Sequence, residues 1–263
     1  MNRKMPMSGR KIAASDWGTP VISRLRTFVD LSPVDVEELH GLVEAELTVG
    51  RRRDLVVDGY EYNKLAFVRE GFAARYKLLR NGKRQIINIL LPGDIVGMPG
   101  SFVDLPTFSV IALTDMKMDV CSLDDFIALC YRRPKFALAL SWLAVQEAVI
   151  NAEHIVDIGR RTSLERLAHF LLEIHGRLSM VGLAKNNTFD LPISQEVMSD
   201  ALGLSVPHLN RMMAKLRSDK MVAVADRRIE LIDTEGLRKL AHFQPARMAR
   251  IPAAGMREHE LTV

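Results

Sequence analysis

From Lys135 to Asp157 the chain runs without a glycine or a proline, and Leu138, Trp142, Val145, Val149, Ala152 and Val156 recur along it in steps of 4, 3, 4, 3 and 4. Alternating threes and fours keep apolar side chains on one stripe of a helix, the seam along which two helices pack. At 1.5 Å of rise per residue the rod is roughly 33 Å long. Glu147, Asn151, Glu153, His154 and Asp157 supply polar positions beside the stripe. A helix with one apolar side needs a cover, and this one predicts pairing with a second copy of the chain in a homodimer. Burial within the same chain is the alternative.

The texture is different before the rod. Between Glu46 and Leu123 the apolar runs are short and are separated by Asp58-Gly59, Glu70-Gly71, Asn81-Gly82 and Pro92-Gly93-Asp94, the punctuation of an all-β roll. Asn81-Gly82, between Ala73–Leu79 and Gln85–Leu91, predicts a two-residue hairpin turn. Met116, Met118 and Val120 alternate as a half-buried strand should. A helical lead-in covers Val21 to Leu42, with Ser32 as a cap and Pro33 at a first helical position. Ser122 caps a short helix, with Asp124 and Asp125 in its first turn, that Arg132-Arg133-Pro134 breaks near Tyr131.

Beyond the rod, Gly159 marks a hinge and Thr162 or Ser163 caps an amphipathic helix bearing Leu164, Leu167, Ala168, Leu171 and Leu172. A polar loop through Lys185, Asn186 and Asn187 follows. Residues 191 to 233 then parse as helix, turn, helix and wing. Ser194 caps the first helix, and Leu202-Gly203-Leu204 makes a tight turn in which glycine adopts a left-handed conformation. Ser205 caps the second helix, with Pro207 still inside its first turn. Leu209, Met212, Met213 and Leu216 form the apolar face of that helix; His208, Arg211 and Lys215 lie opposite, with Asn210 and Arg217 alongside. An arginine fork can grip guanine O6 and N7, and the asparagine amide can do the same for adenine N6 and N7. Arg227-Arg228 follows on a hairpin. The partner these groups call for is double-stranded DNA.

Charge agrees with this. The first 158 residues are balanced, and the whole net charge of +4 lies beyond them. The two cysteines, Cys121 and Cys130, fit no zinc or cysteine-ligated iron–sulfur spacing, so no metal and no cofactor is expected, and each reads as a small buried hydrophobe in a reduced cytoplasm, with reversible oxidation as the alternative. Of the seven histidines, His40, His154, His169 and His175 read as helix-surface or satisfied interior residues. No apolar run has membrane-spanning length. A glycine-rich phosphate loop, a nucleophile elbow and metal-ligand spacings are all lacking, which argues against an enzyme. A pure effector-binding module is disfavoured by the second helix, whose outer face has charges where a protein-docking helix would carry apolar anchors.

Taken together, Gly159-Arg160-Arg161-Thr162-Ser163-Leu164-Glu165-Arg166-Leu167-Ala168-His169, Asp200-Ala201-Leu202-Gly203-Leu204-Ser205 and His208-Leu209-Asn210-Arg211 resemble the Crp/Fnr superfamily of transcription factors, in a branch common in alphaproteobacteria. The likeness runs from about residue 20 to 243 and includes the Glu70-Gly71 and Pro92-Gly93-Asp94-Ile95-Val96-Gly97 turns. It implies an α+β fold in this order: a flexible arm, 1–19; a cyclic-nucleotide-binding-like β-roll sensor, 20–133; a dimerisation helix, 134–158; a winged helix-turn-helix, 159–243; and a disordered tail, 244–263. It also implies palindromic operators and RNA polymerase as a protein partner, with the effector unassigned. By resemblance Arg211 matches the base-reading arginine and Ser194 and Ser205 the phosphate-contacting caps, while Asn210 replaces a small residue. Gln195, Val206, Pro207, His208, Lys215, Arg227 and Arg228 complete the expected DNA contacts. Two departures stand out. Where cyclic-AMP binders carry arginine with serine or threonine, this chain has Thr107-Phe108-Ser109-Val110 after Gly97-Met98-Pro99-Gly100, and an anion desolvated without a guanidinium would cost several kcal/mol. Val206-Pro207 replaces an arginine and glutamate, so the operator of the cyclic-AMP receptors should not transfer.

Overall fold

The computed structural model describes residues 19–98 and 100–244. The expected arm and tail lie outside the described residues, apart from Thr19 and Gln244. Two helices lead in, α1 (Thr19–Leu25) and α2 (Pro33–Gly41). Ser32 caps α2 as its sequence predicts, in a reciprocal capping box with Asp35.

Eight strands follow: β1 (Ala45–Val49), β2 (Asp54–Val56), β3 (Lys64–Glu70), β4 (Ala73–Leu78), β5 (Arg84–Leu90), β6 (Ile95–Val96), β7 (Ser109–Ala112) and β8 (Met116–Ser122). They form two four-stranded antiparallel sheets, in the orders β1-β8-β3-β6 and β2-β7-β4-β5. Val68, Val96, Val110, Met116, Met118 and Val120 are among the buried residues that fill the roll. Strand β8 is covered on both faces rather than half-buried: Met116, Met118 and Val120 point into the roll, while Cys121 packs with the helices α1 and α2. The β4–β5 connection also differs from expectation. Only Gly82 takes a positive φ, and Leu79 N–H bonds to Lys83 while Gly82 N–H bonds to Leu79. This is a three-residue loop, a type I turn closed by a left-handed glycine, and not a two-residue turn.

α3 (Leu123–Arg132), capped by Ser122, leads to the rod α4 (Pro134–Gly159). The rod has two apolar faces. Phe136, Ala139, Leu143 and Ile150 are buried within the chain, whereas Leu138, Val145, Val149 and Val156 remain 36–51% exposed. Ala152 is exposed as well, and Trp142 is half-covered, stacked on Phe28 at 5.5 Å. α5 (Ser163–Met180) starts at Thr162, which makes a capping box with Glu165. It runs buried between roll and C-terminal unit, with Phe72, Ile86 and Ile89 of the roll in one apolar cluster with Leu171 and Leu202.

The polar loop at residues 185–187 is in fact a hairpin. β9 (Ala184–Lys185) and β10 (Thr188–Asp190) are joined by Asn186 and Asn187, both at positive φ, as a primed turn requires. α6 (Gln195–Leu202), α7 (Val206–Ser218), β11 (Val222–Ala225), β12 (Arg228–Leu231) and α8 (Thr234–Ala241) are the remaining elements of the described residues. The wing thus belongs to a four-stranded sheet in the order β11-β12-β10-β9. No described helix is long and apolar enough to cross a membrane.

Candidate nucleic-acid interface

Ser194 ends the extended segment before α6, and its Oγ accepts from Val197 N–H at 3.3 Å. Gly203 then turns the chain at φ 63°, a conformation that a β-carbon disfavours. α7 begins three residues later, at Val206, with Pro207 in its first turn. Ser205 holds the N-cap position, but its side chain makes no cap bond and is exposed, contrary to the expected cap. The orphan N–H groups of that first turn therefore face outward with a hydroxyl beside them, an arrangement suited to an anionic oxygen.

Leu209 and Leu216 anchor α7 in the core. Asn210, Arg211, Lys215 and Arg217 are exposed, and His208 and Val206 are half-buried. Lys215 is engaged with Asp219 at 2.8 Å, whereas Arg211 meets no carboxylate among the described residues. The β11–β12 turn has Asp226 and Arg227 both in the left-handed region, which sets Arg227 at the hairpin tip. Its carbonyl accepts from Leu191 N–H at 2.8 Å, tying that tip to the segment before α6. Arg228 pairs with Asp190 at 3.3 Å in the open. Gln195, Asn210, Arg217 and Arg227 line one cleft of about 380 Å³ between α6, α7 and the wing, with Leu191, Ile193 and Met213 among its apolar lining. No aspartate or glutamate lines it.

The sensor side holds a feature missed from sequence. Three buried arginines meet where roll, α1, α4 and α5 converge. Arg24 pairs with Asp94 and donates to Gln146 at 2.8 Å. Arg75 pairs with Glu147, donates to the Met98 carbonyl, and lies 4.8 Å from the Phe108 ring centre. Arg177 donates to Asp94 at 2.6 Å, Asn88 at 3.0 Å, Glu173 at 2.9 Å and the Ile89 carbonyl at 2.8 Å. Burial, with Arg177 nearby, pulls Arg24 and Arg75 below the usual arginine range. The cavity among these groups is only about 30 Å³. Guanidinium groups are thus present although the cassette lacks one, and each is already held by a carboxylate. A polar residue interrupting the apolar face of α5 at Arg177 was the available signal, but its partners in the roll lie 83 to 89 residues away.

Further contacts join the C-terminal unit to the roll. Arg84 grips Asp200 at 2.9 and 2.5 Å, and Gln85 donates to the Asp200 carbonyl at 3.0 Å. Cys121 is fully buried, and burial pushes its thiol up to about 12; Cys130 is raised for the same reason. His169 sits buried 3.0 Å from Asp157, whereas His175 is half-buried and lies against Phe189. Among the described residues no cluster of His, Cys, Asp and Glu could hold a metal ion.

Comparison with known proteins covers both halves of the chain. Residues 48–133 match the cyclic nucleotide-binding domain and residues 165–240 the Crp-like helix-turn-helix domain. The nitrogen fixation regulation protein FixK of Bradyrhizobium diazoefficiens is 32% identical over 174 residues, covering 66% of this chain and 72% of that protein. The transcriptional activatory protein AadR of Rhodopseudomonas palustris is 29% identical over 216 residues, 81% of this chain and 87% of AadR. The solved structure of FixK2 from Bradyrhizobium japonicum aligns with a TM-score of 0.68 at 25% identity, over 74% of this chain and 96% of that one.

Proposed function

Because the chain belongs to the Crp/Fnr family of transcription regulators, we propose that it binds palindromic operators as a homodimer through α7, one copy per half-site. The exposed, acid-free cleft shared by Gln195, Asn210, Arg217 and Arg227 is the observation that carries this reading. Arg211 and Asn210 read base edges; His208 and Lys215 flank them; Ser194, Ser205 and the first turn of α7 with Val206 and Pro207 take phosphates, as do Arg227 and Arg228. The uncovered α4 stripe supports pairing about a two-fold axis, which would set two recognition helices about 34 Å apart, one turn of DNA. The relatives AadR and FixK are named as a transcriptional activatory protein and a nitrogen fixation regulation protein. By that analogy this chain recruits RNA polymerase.

Cyclic AMP is not its effector. Phe108 fills the cassette side of the roll, and Arg75 is committed to Glu147 and Met98. The neighbouring cavity of about 30 Å³ is an order of magnitude below the roughly 300 Å³ at which ligand pockets begin. Selection of bound duplexes from a random library tests the DNA reading. Enrichment of a two-fold symmetric site with half-sites about 10 base pairs apart is expected, and recovery of no common site would refute it.

A further inference from the structure

The roll, the rod and the DNA-binding unit meet at one side chain. His154 of α4 is placed with Nδ1 3.0 Å from the Ile87 carbonyl of β5 and Nε2 2.7 Å from Glu173 of α5. Both neighbours are acceptors only, so a neutral imidazole, which carries a single N–H, can satisfy one of them. The imidazolium satisfies both. Glu173 is shared with Arg177 at 2.9 Å, and Arg177 leads through Asp94 to Arg24. The chain Arg24, Asp94, Arg177, Glu173, His154 therefore alternates in sign only while His154 carries its proton. Asp157, one turn further along α4, adds a carboxylate on the same side, although it is itself held by Arg161 at 2.8 Å and faces His169. Arg166 of α5 shares the small cavity beside His154, donating to the Leu202 and Arg161 carbonyls. Asp200 of α6 is taken by Arg84.

We infer that His154 is a proton-operated clasp, which docks the DNA-binding unit against the roll while it is charged and loosens that docking when it loses its proton. The consequence for DNA rests on the operator-reading proposal: a docked unit has a fixed place relative to the two-fold axis, and a loosened one spends binding energy on finding its half-site.

The electrostatics agree in direction. Burial opposes the charged ring, but the Glu173 bond, its charge and the Ile87 carbonyl outweigh it and raise His154 above its ordinary 6.5. Burial likewise pushes Glu173 up, yet His154 and Arg177 hold it at about 2, so the carboxylate stays charged across the working range. A raised histidine contributes fully below about 6.5, its unfolded value, and its contribution fades as pH rises through the folded midpoint.

The full-length protein can be followed by NMR from pH 5.5 to 9. The histidine ring signal absent from His154→Gln is expected to titrate with a midpoint above 6.5. The methyl signals of Ile86 and Ile89, which lie between roll and α5, should shift with that same midpoint in the wild type and stay at their high-pH positions in His154→Gln. His154→Lys, cationic throughout this range, should keep the low-pH positions. Operator affinity, measured as the ratio of wild type to His154→Gln to cancel pH effects common to both proteins, should fall roughly tenfold across the midpoint, the loss of one charge-assisted hydrogen bond. A midpoint at or below 6.5, or methyl signals that ignore it, overturns the clasp. Expected NMR titrations with no operator binding at any pH would instead overturn the operator reading and leave the clasp intact.

Discussion

Replacing Asp94 with alanine removes the carboxylate on which two buried guanidinium groups converge. Its Oδ2 accepts from Leu91 N–H at 2.7 Å and from Arg177 at 2.6 Å, and Oδ1 pairs with Arg24. These side chains are 4–7% exposed, so water cannot take over. The two arginines are not equally stranded. Arg177 keeps Glu173, Asn88 and a carbonyl, whereas Arg24 is left with the neutral Gln146 alone. Removing one partner of a buried ion pair costs about 3–5 kcal/mol, a large share of the roughly 5–15 kcal/mol that holds a domain together. The expected loss is therefore about 3–4 kcal/mol, or roughly 10 °C in Tm. Removing the stranded charge as well, in Asp94→Ala with Arg24→Met, should be milder than Asp94→Ala alone, because a missing pair is less unfavourable than an unpaired buried ion. Glu235→Ala, which breaks an open pair with Arg238, should change stability by less than about 0.5 kcal/mol. Thermal unfolding followed by circular dichroism at pH 7 reads all four proteins. An Asp94→Ala protein within about 1 kcal/mol of wild type, or a double variant less stable than the single one, would show that Asp94 is not what holds these arginines.

Introducing glutamate at both Val145 and Val149, which are 51% and 36% exposed, would set like charges against each other across the proposed two-fold axis. Light scattering at micromolar concentration should report a monomer, and a persistent dimer would remove α4 as the seam. Cyclic AMP should give no saturable heat in calorimetry and no rise in Tm at physiological concentration; a micromolar isotherm would mean that Arg75 leaves Glu147 to take a phosphate.

Local chemistry was the most legible part of this chain. Ser32, Thr162 and Ser194 cap helices where their sequences place them, because an N-cap and its partner lie within three residues. The α4 stripe was visible for the same reason, since periodicity is local; the helix's second, buried face was not, because Phe136, Ala139, Leu143 and Ile150 acquire meaning only from what they pack against. The β9–β10 hairpin escaped notice since its strands have two and three residues, too short to show alternation. At the candidate interface the order of cap, glycine, polar face and arginine turn pointed to Asn210, Arg211 and Arg227 directly. The long-range arginine pairs could not be found in this way. Arg177 reaches Asp94 across 83 residues and Arg84 reaches Asp200 across 116, and nothing in the neighbourhood of either sequence position encodes the pairing.

Base reading by α7 and phosphate holding by the wing are separated by one titration. Arg211→Ala and Arg227→Ala are compared by fluorescence anisotropy on the selected operator and on a scrambled duplex over a range of salt. If Arg211 forks onto a guanine, its loss costs roughly 1–3 kcal/mol per half-site on the operator and much less on the scrambled duplex. Loss of Arg227 at the hairpin tip instead weakens both duplexes alike and lowers the salt slope by about one. An Arg211→Ala protein that loses affinity equally for the two duplexes would rule out base reading by Arg211.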